Sequence, residues 1–332
     1  VIFNWGAFRQ ISQANAQVRQ AVLNLSYAEQ DLMRRCSSAY FNVVKYEELM
    51  RVTKGQLASM RRQLAASRER FKVGHTTITD IERVRATYDL YRSQLVGIRM
   101  QLNNAREALY EITGNKNFRV PYMNKDFRLM KPYPLSLQVW QNRVKKDNLG
   151  IKASIEGVEV AKAAVGVQRG SYLPTVNAVG TYYPEKISGL DKHFVYGLSL
   201  SYSAFQGGNT FAQVGRAQAY YQKAMAQRDA AFRNAMMLME TSYTGMLEGV
   251  AQLKAEKLAV KSNKSALKHT EEGYVAGNQT VLDVLDQQNK LFEAQKTYIN
   301  SRVNYLNNVI MLEQSAGSLS PTVLQQMQKW LK

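Results

Sequence analysis

Asp283 and Asp286, in the run Val281-Leu282-Asp283-Val284-Leu285-Asp286, are two carboxylates three residues apart. On a helix that spacing puts both on one face. A catalytic or metal-binding pair needs partners, and the sequence offers none. It contains no GxxxxGK[ST], GxSxG, HExxH or CxxC, and the three histidines, His75, His193 and His269, are scattered without zinc-ligand spacing. The one cysteine, Cys36, lies in a helical pattern, cannot form an intrachain disulfide and reads as a small buried hydrophobe. No catalytic residue, cofactor or metal is expected, and the chain is not read as an enzyme.

The element that carries the pair is written twice. "GYVAGNQTVLDVLDQQN" at 273–289 shares its frame with "FKVGHTTITDIERVRA" at 71–86: Gly74 matches Gly277, Thr77 matches Thr280, and Asp80 matches Asp283. Upstream, Phe3-Asn4-Trp5-Gly6 matches Phe205-Gln206-Gly207-Gly208 at nearly the same offset, about 202 residues. A constant offset between distant landmarks implies an internal duplication. In each copy the glycine supplies the conformation that ends one helix. The threonine caps the next, and the aspartate three residues on completes a capping-box frame. Only the second copy adds a further acid: the counterpart of Asp286 is Arg83.

Long helices flank both phrases. Ala39, Val43, Tyr46, Met50, Thr53, Leu57, Met60 and Leu64 step by four and three, as do Met236, Met239, Tyr243, Met246, Val250 and Leu253. The seam resumes after each phrase, through Ile81, Val84, Tyr88, Tyr91, Leu95, Ile98, Leu102, Ala105, Leu109 and Ile112, and through Val284, Leu291, Tyr298, Tyr305 and Leu312. Each phrase is therefore the bend of an antiparallel helical hairpin whose first arm runs on the order of 100 Å.

Between the hairpins the period changes to two. Tyr196, Leu198, Leu200 and Tyr202 alternate with Gly197, Ser199, Ser201 and Ser203, and Val176, Ala178 and Tyr182 alternate with Thr175, Asn177 and Thr181. One apolar and one small polar face is the pattern of membrane β-barrel strands; a hairpin on a soluble core is the other reading. "VIFNW" reads as the tail of the first copy's second strand, so the chain is expected to begin inside that copy, with about 100 residues before it by the duplication. Few strands per chain cannot close a barrel, and open edges are not tolerated in lipid, so membrane strands require oligomerisation.

The division expected is a strand end at 1–5; a helical hairpin at 6–113 with its tip at 72–80; an equatorial segment at 114–140; a helix at 141–171; two strands at 172–205 joined by a loop at 184–193; a second hairpin at 206–314 with its tip at 274–283; and a C-terminal equatorial segment at 315–332. No apolar run reaches the length of a membrane-spanning helix. The net charge of +18 is spread along helices with no Lys/Arg run longer than two, which argues against nucleic acid as a partner.

"GYVAGNQTVLDVLDQQNKLFEAQKTYINSRVNYL" resembles the last hairpin of the TolC family of outer-membrane efflux and secretion channels. "FKVGHTTITDIERVRATYD", "ALYEITGN", "LPTVNAVGTY" and "GLSLSYSAFQGG" resemble successive segments of that family in the same order. The resemblance implies a mainly α chain with membrane β-strands. Three chains would form an α-barrel of long coiled-coil helices continuous with a shared 12-stranded β-barrel. It implies a homotrimer in the bacterial outer membrane reaching into the periplasm, contacting outer-membrane lipid, a periplasmic membrane-fusion adaptor and an inner-membrane RND or ABC-type transporter. Both bends would lie at the periplasmic tip, where Asp283 and Asp286 match the aspartates that narrow the entrance. Such rings disfavour anions and attract cations, and crowding favours protonation of some members. Gate links carried over by the resemblance are Tyr274 with Asp80, and Thr79. Gln279 stands where the family has an arginine, so one closing salt bridge is not available. The function implied is passive export of small molecules or proteins, with energy supplied by a partner. The rival readings are a periplasmic adaptor, which usually carries one hairpin, and a soluble coiled-coil scaffold.

Overall fold

The computed structural model describes residues 1–116, 129–184 and 193–331, with side chains through Met327 except that of His193. Part of the first equatorial segment and most of the 184–193 loop lie outside these residues. Contacts divide the chain into two units, Val1–Glu29 with Arg143–Met237, and Gln30–Asn142 with Leu238–Lys332.

In chain order the elements are α1 (Trp5–Lys72), α2 (Ile78–Thr113), α3 (Leu137–Asp147), α4 (Leu149–Arg169), a 3-10 turn (Gly170–Tyr172), β1 (Thr175–Tyr183), β2 (His193–Ser201), α5 (Asn209–Val275), α6 (Val281–Ser315) and α7 (Pro321–Leu331). α1 and α5 have 68 and 67 residues, several times the ordinary globular length. Two expectations change. The helix expected at 141–171 is divided at Asn148, whose side chain accepts from Ile151 N at 2.8 Å and starts α4 as a fresh helix. His193, placed in the loop by the sequence, is already the first residue of β2, opposite Tyr183.

In the first unit, the start of α1 meets the 3-10 turn that follows α4 through glycine: a Cβ on Gly170 would stand 2.6 Å from the Gly6 backbone nitrogen. Arg19 is paired with Glu156 across the same two helices at 2.9 Å. β1 and β2 form an antiparallel two-stranded sheet. Its register sets Val176, Ala178, Gly180 and Tyr182 opposite Leu200, Leu198, Tyr196 and Phe194, so one face is apolar throughout. Thr175 and Asn177 meet Ser201 and Ser199 on the other. The apolar face is open, with Leu198 75% and Tyr196 86% exposed. The outer edge of β1 is met by the start of the chain, where Phe3 bridges Val176 in antiparallel fashion and Ile2 N donates to Val176 O at 2.7 Å.

In the second unit the seams pack as knobs on facing helices. Val43, Leu102, Ala105 and Leu109 form one cluster. Cys36, seven residues before Val43 on the same seam, is only half-buried at the edge of this cluster and not enclosed as the sequence suggested. Nearer the bends, Met60, Val84, Tyr91, Val281, Leu285 and Phe292 form a second cluster. Tyr91 packs edge-on against Phe292 at 5.1 Å and donates to Asn289 Oδ1 at 2.6 Å. Burial pushes the Tyr91 hydroxyl up to about 12.

One contact of this unit has no apolar logic. Glu48 of α1 and Arg302 of α6 meet at 3.3 Å with both side chains 4% exposed. Arg51 approaches the same carboxylate at 3.1 Å, and Arg302 lies over the Tyr298 ring. Burial lowers the Arg302 pKa from its ordinary value, against the attraction of Glu48.

Candidate functional site: the paired helical bends

Val281 and Leu285 from the second bend interleave with Val84 and Tyr91 from the first, so one apolar cluster holds the bends side by side within the second unit. The bends have one construction. Gly74 and Gly277 take φ of 77° and 82°, a region that penalises any side chain. His75 N donates to Arg70 O and Asn278 N to Gly273 O, both at 2.9 Å, closing the two helix ends in the same way. Thr77 and Thr280 then cap α2 and α6 with complete capping boxes.

The caps consume the aspartates that start these helices. Asp283 Oδ2 accepts from Thr280 N at 2.8 Å and Thr280 Oγ1 at 2.7 Å. These bonds hold the Asp283 carboxyl below its ordinary pKa. Asp80 Oδ2 accepts from Thr77 N, Thr77 Oγ1 and Thr76 Oγ1. Partial burial raises the Asp80 pKa, but these hydrogen bonds and nearby Arg83 outweigh it and leave the group lowered.

The expected link of Tyr274 to Asp80 is not formed within this chain. The Asp80 acceptor faces its own cap, while the Tyr274 hydroxyl is buried with no partner among the described residues and its ring lies under Arg70 at 4.5 Å. Thr79, in the first turn of α2, lies on the exposed side of the helix. The Gln279 side chain folds back onto the end of α5, where a Cβ on Gly273 would stand 2.7 Å from its Cγ. Asp286 stands one turn beyond Asp283 and is paired with Lys290 at 2.7 Å, both side chains 58% exposed. Lys290 was not singled out from the sequence, although an acid four residues before a lysine on a helix is a readable signal. Among the described residues no group of His, Cys, Asp and Glu could hold a metal ion. Nothing at the bends forms a nucleophile–base pair; the arrangement presents fixed charge.

Residues 1–115 and 140–318 match the family profile "Outer membrane efflux protein". Outer membrane protein TolC of Escherichia coli K12 is 30% identical over 312 residues, 88% of this chain and 62% of that protein. The chain thus spans less than two thirds of that relative's length. Outer membrane protein TolC of Vibrio cholerae is 27% identical over 328 residues, covering 96% of this chain and 75% of that protein. Among solved structures, the Campylobacter jejuni CmeC outer membrane channel superposes with a TM-score of 0.79 at 17% identity, covering 98% of this chain and 71% of that one, a likeness of fold.

Proposed function

The chain belongs to the outer membrane efflux protein family, and from that premise we propose that three copies assemble an outer-membrane export channel closed at the paired bends. The observation that carries this reading is the sheet of the first unit. Its apolar face is continuous and exposed, and it has too few strands to satisfy its own edges. In lipid such a sheet must be completed by other strands. Threefold sharing of a 12-stranded barrel satisfies that demand. The long helices then form the α-barrel below the membrane, and the chain carries out no chemistry of its own. Energy comes from an inner-membrane RND or ABC-type transporter, reached through a periplasmic adaptor.

At the bends, threefold symmetry turns each exposed carboxylate into a ring. The Thr280 cap favours the ionised form of Asp283 against the crowding that favours protonation of some ring members, so the ring it forms favours cations over anions. Tyr274, Thr79 and Asp80 act in closure through contacts made on assembly, and Gln279 supplies an amide that can hydrogen-bond but cannot make the salt bridge of an arginine.

The test is conductance of the full chain in planar bilayers, after outer-membrane fractionation and sizing in mild detergent. A trimer is expected, and Asp283→Asn with Asp286→Asn should lower cation preference severalfold. A water-soluble monomer, or unchanged selectivity in the double variant, would defeat the reading. The closure argument gives a second expectation. Gln279→Arg should lower the resting conductance by restoring a salt bridge across the tip, whereas conductance equal to or above the parent's removes Gln279 from the gate.

A further inference from the structure

Lys290 has no part in any of the caps, yet its ammonium group sits 2.7 Å from Asp286. The first bend has a comparable arrangement: Arg83, at the position matching Asp286, lies 3.9 Å from Asp80. Asp283 differs from both, because its carboxylate is held by Thr280 backbone and hydroxyl donors, which are dipoles and leave its net charge in place. The second bend therefore presents one uncompensated carboxylate followed, one turn on, by a carboxylate with its own counter-charge.

We propose that Lys290 is a specificity-determining residue of the channel, cancelling the Asp286 ring from within the same helix so that ion preference at the entrance rests on Asp283. This rests on the pore reading above and deepens it. An exposed ion pair of this kind adds little to stability. Its effect on a passing ion does not depend on stability, because a cation and an anion 2.7 Å apart largely offset each other's field at the centre of the ring. In a threefold assembly the lysines also return three positive charges to a mouth that would otherwise carry six acids, which weakens capture of multivalent cations most of all.

Reversal potentials across a KCl gradient decide the matter, with the full chain reconstituted as parent, Lys290→Ala, Lys290→Arg, Asp286→Asn and Asp283→Asn. Unmasking the Asp286 carboxylate of each chain should raise the cation-to-anion permeability ratio of Lys290→Ala roughly two- to fivefold in dilute salt. The gain should fade toward 1 M, where screening acts within about 3 Å. Lys290→Arg should keep the parent's ratio, and Asp286→Asn alone should lower it, because the Lys290 ammonium is then left without its counter-charge. A Lys290→Ala ratio equal to the parent's, with Asp283→Asn still lowering it, overturns the role of Lys290 and leaves the pore reading standing. If neither substitution moves the ratio, both fall. A change with Lys290→Ala but not with Asp283→Asn places the Lys290–Asp286 pair, and not the cap, at the narrowest ring.

Discussion

Arg302→Met is expected to destabilise the second unit by about 3–5 kcal/mol, because it leaves Glu48 charged in a site from which water is excluded. Arg51 still reaches the Glu48 carboxylate, which sets the expectation toward the lower end of that range. The companion variant, Glu48→Leu with Arg302→Met, should recover most of the loss, since two apolar side chains of similar bulk carry no desolvation cost. A double-mutant cycle followed by thermal unfolding in mild detergent isolates the coupling. Arg106→Ala serves as control: its pair with Glu47 at 2.9 Å is half-exposed on the arginine side and should be worth less than about 1 kcal/mol. If Arg302→Met shifts the midpoint no more than Arg106→Ala, the buried pair is not a determinant of this unit. The pair is expensive for what it holds. A single buried polar contact at a seam position fixes which turn of α1 faces which turn of α6, where sliding by a heptad would otherwise cost little.

The readable seam on α6 runs through Val284, Leu291, Tyr298, Tyr305 and Leu312, one position per heptad. The complementary positions four residues on hold Gln288, Gln295, Arg302 and Val309, and the structure buries Gln288, Arg302 and Val309 as deeply as the apolar row. Polar side chains there look like a solvated flank until the opposing helix is known, and Glu48 lies 254 residues away. The bends were readable because their physics is local: Gly74 and Gly277, Thr77 with Asp80, and Thr280 with Asp283 interact across three or four residues of the same chain. The strand faces were readable from alternation, but the pairing partner of each residue was not. Opposing Leu198 with Ala178 depends on a turn whose length alternation does not set, and His193 falls in β2 for that reason. The Tyr274–Asp80 link was carried over by resemblance, whereas the cap competes for the same carboxylate within this chain. Local hydrogen bonds form first and at less entropic cost, so a link between bends has to be made by what remains.

The sheet supplies the other large expectation. Leu198 lies on the apolar face of β2, opposite Ala178, and is 75% exposed in the single chain. In the proposed barrel that face meets lipid, and an arginine near the middle of the strand should cost about 2–4 kcal/mol per chain. Each closed barrel would carry the cost three times, so Leu198→Arg should prevent recovery of folded trimer from outer membranes while leaving the long helices formed. Ser199→Arg, one residue on, points to the opposite face beside Asn177, which in a barrel is the wet interior. That variant should assemble, with altered conductance as its only consequence. The contrast between adjacent residues separates a membrane strand from a hairpin whose apolar face stays in water. In the soluble case Leu198→Arg puts charge into water at a residue already open to it and should change little. Trimer yield from Leu198→Arg and Ser199→Arg, compared side by side, therefore tests the orientation of the sheet directly. Equal yields would remove lipid from the account of its apolar face, and with it the reason three chains must share a barrel.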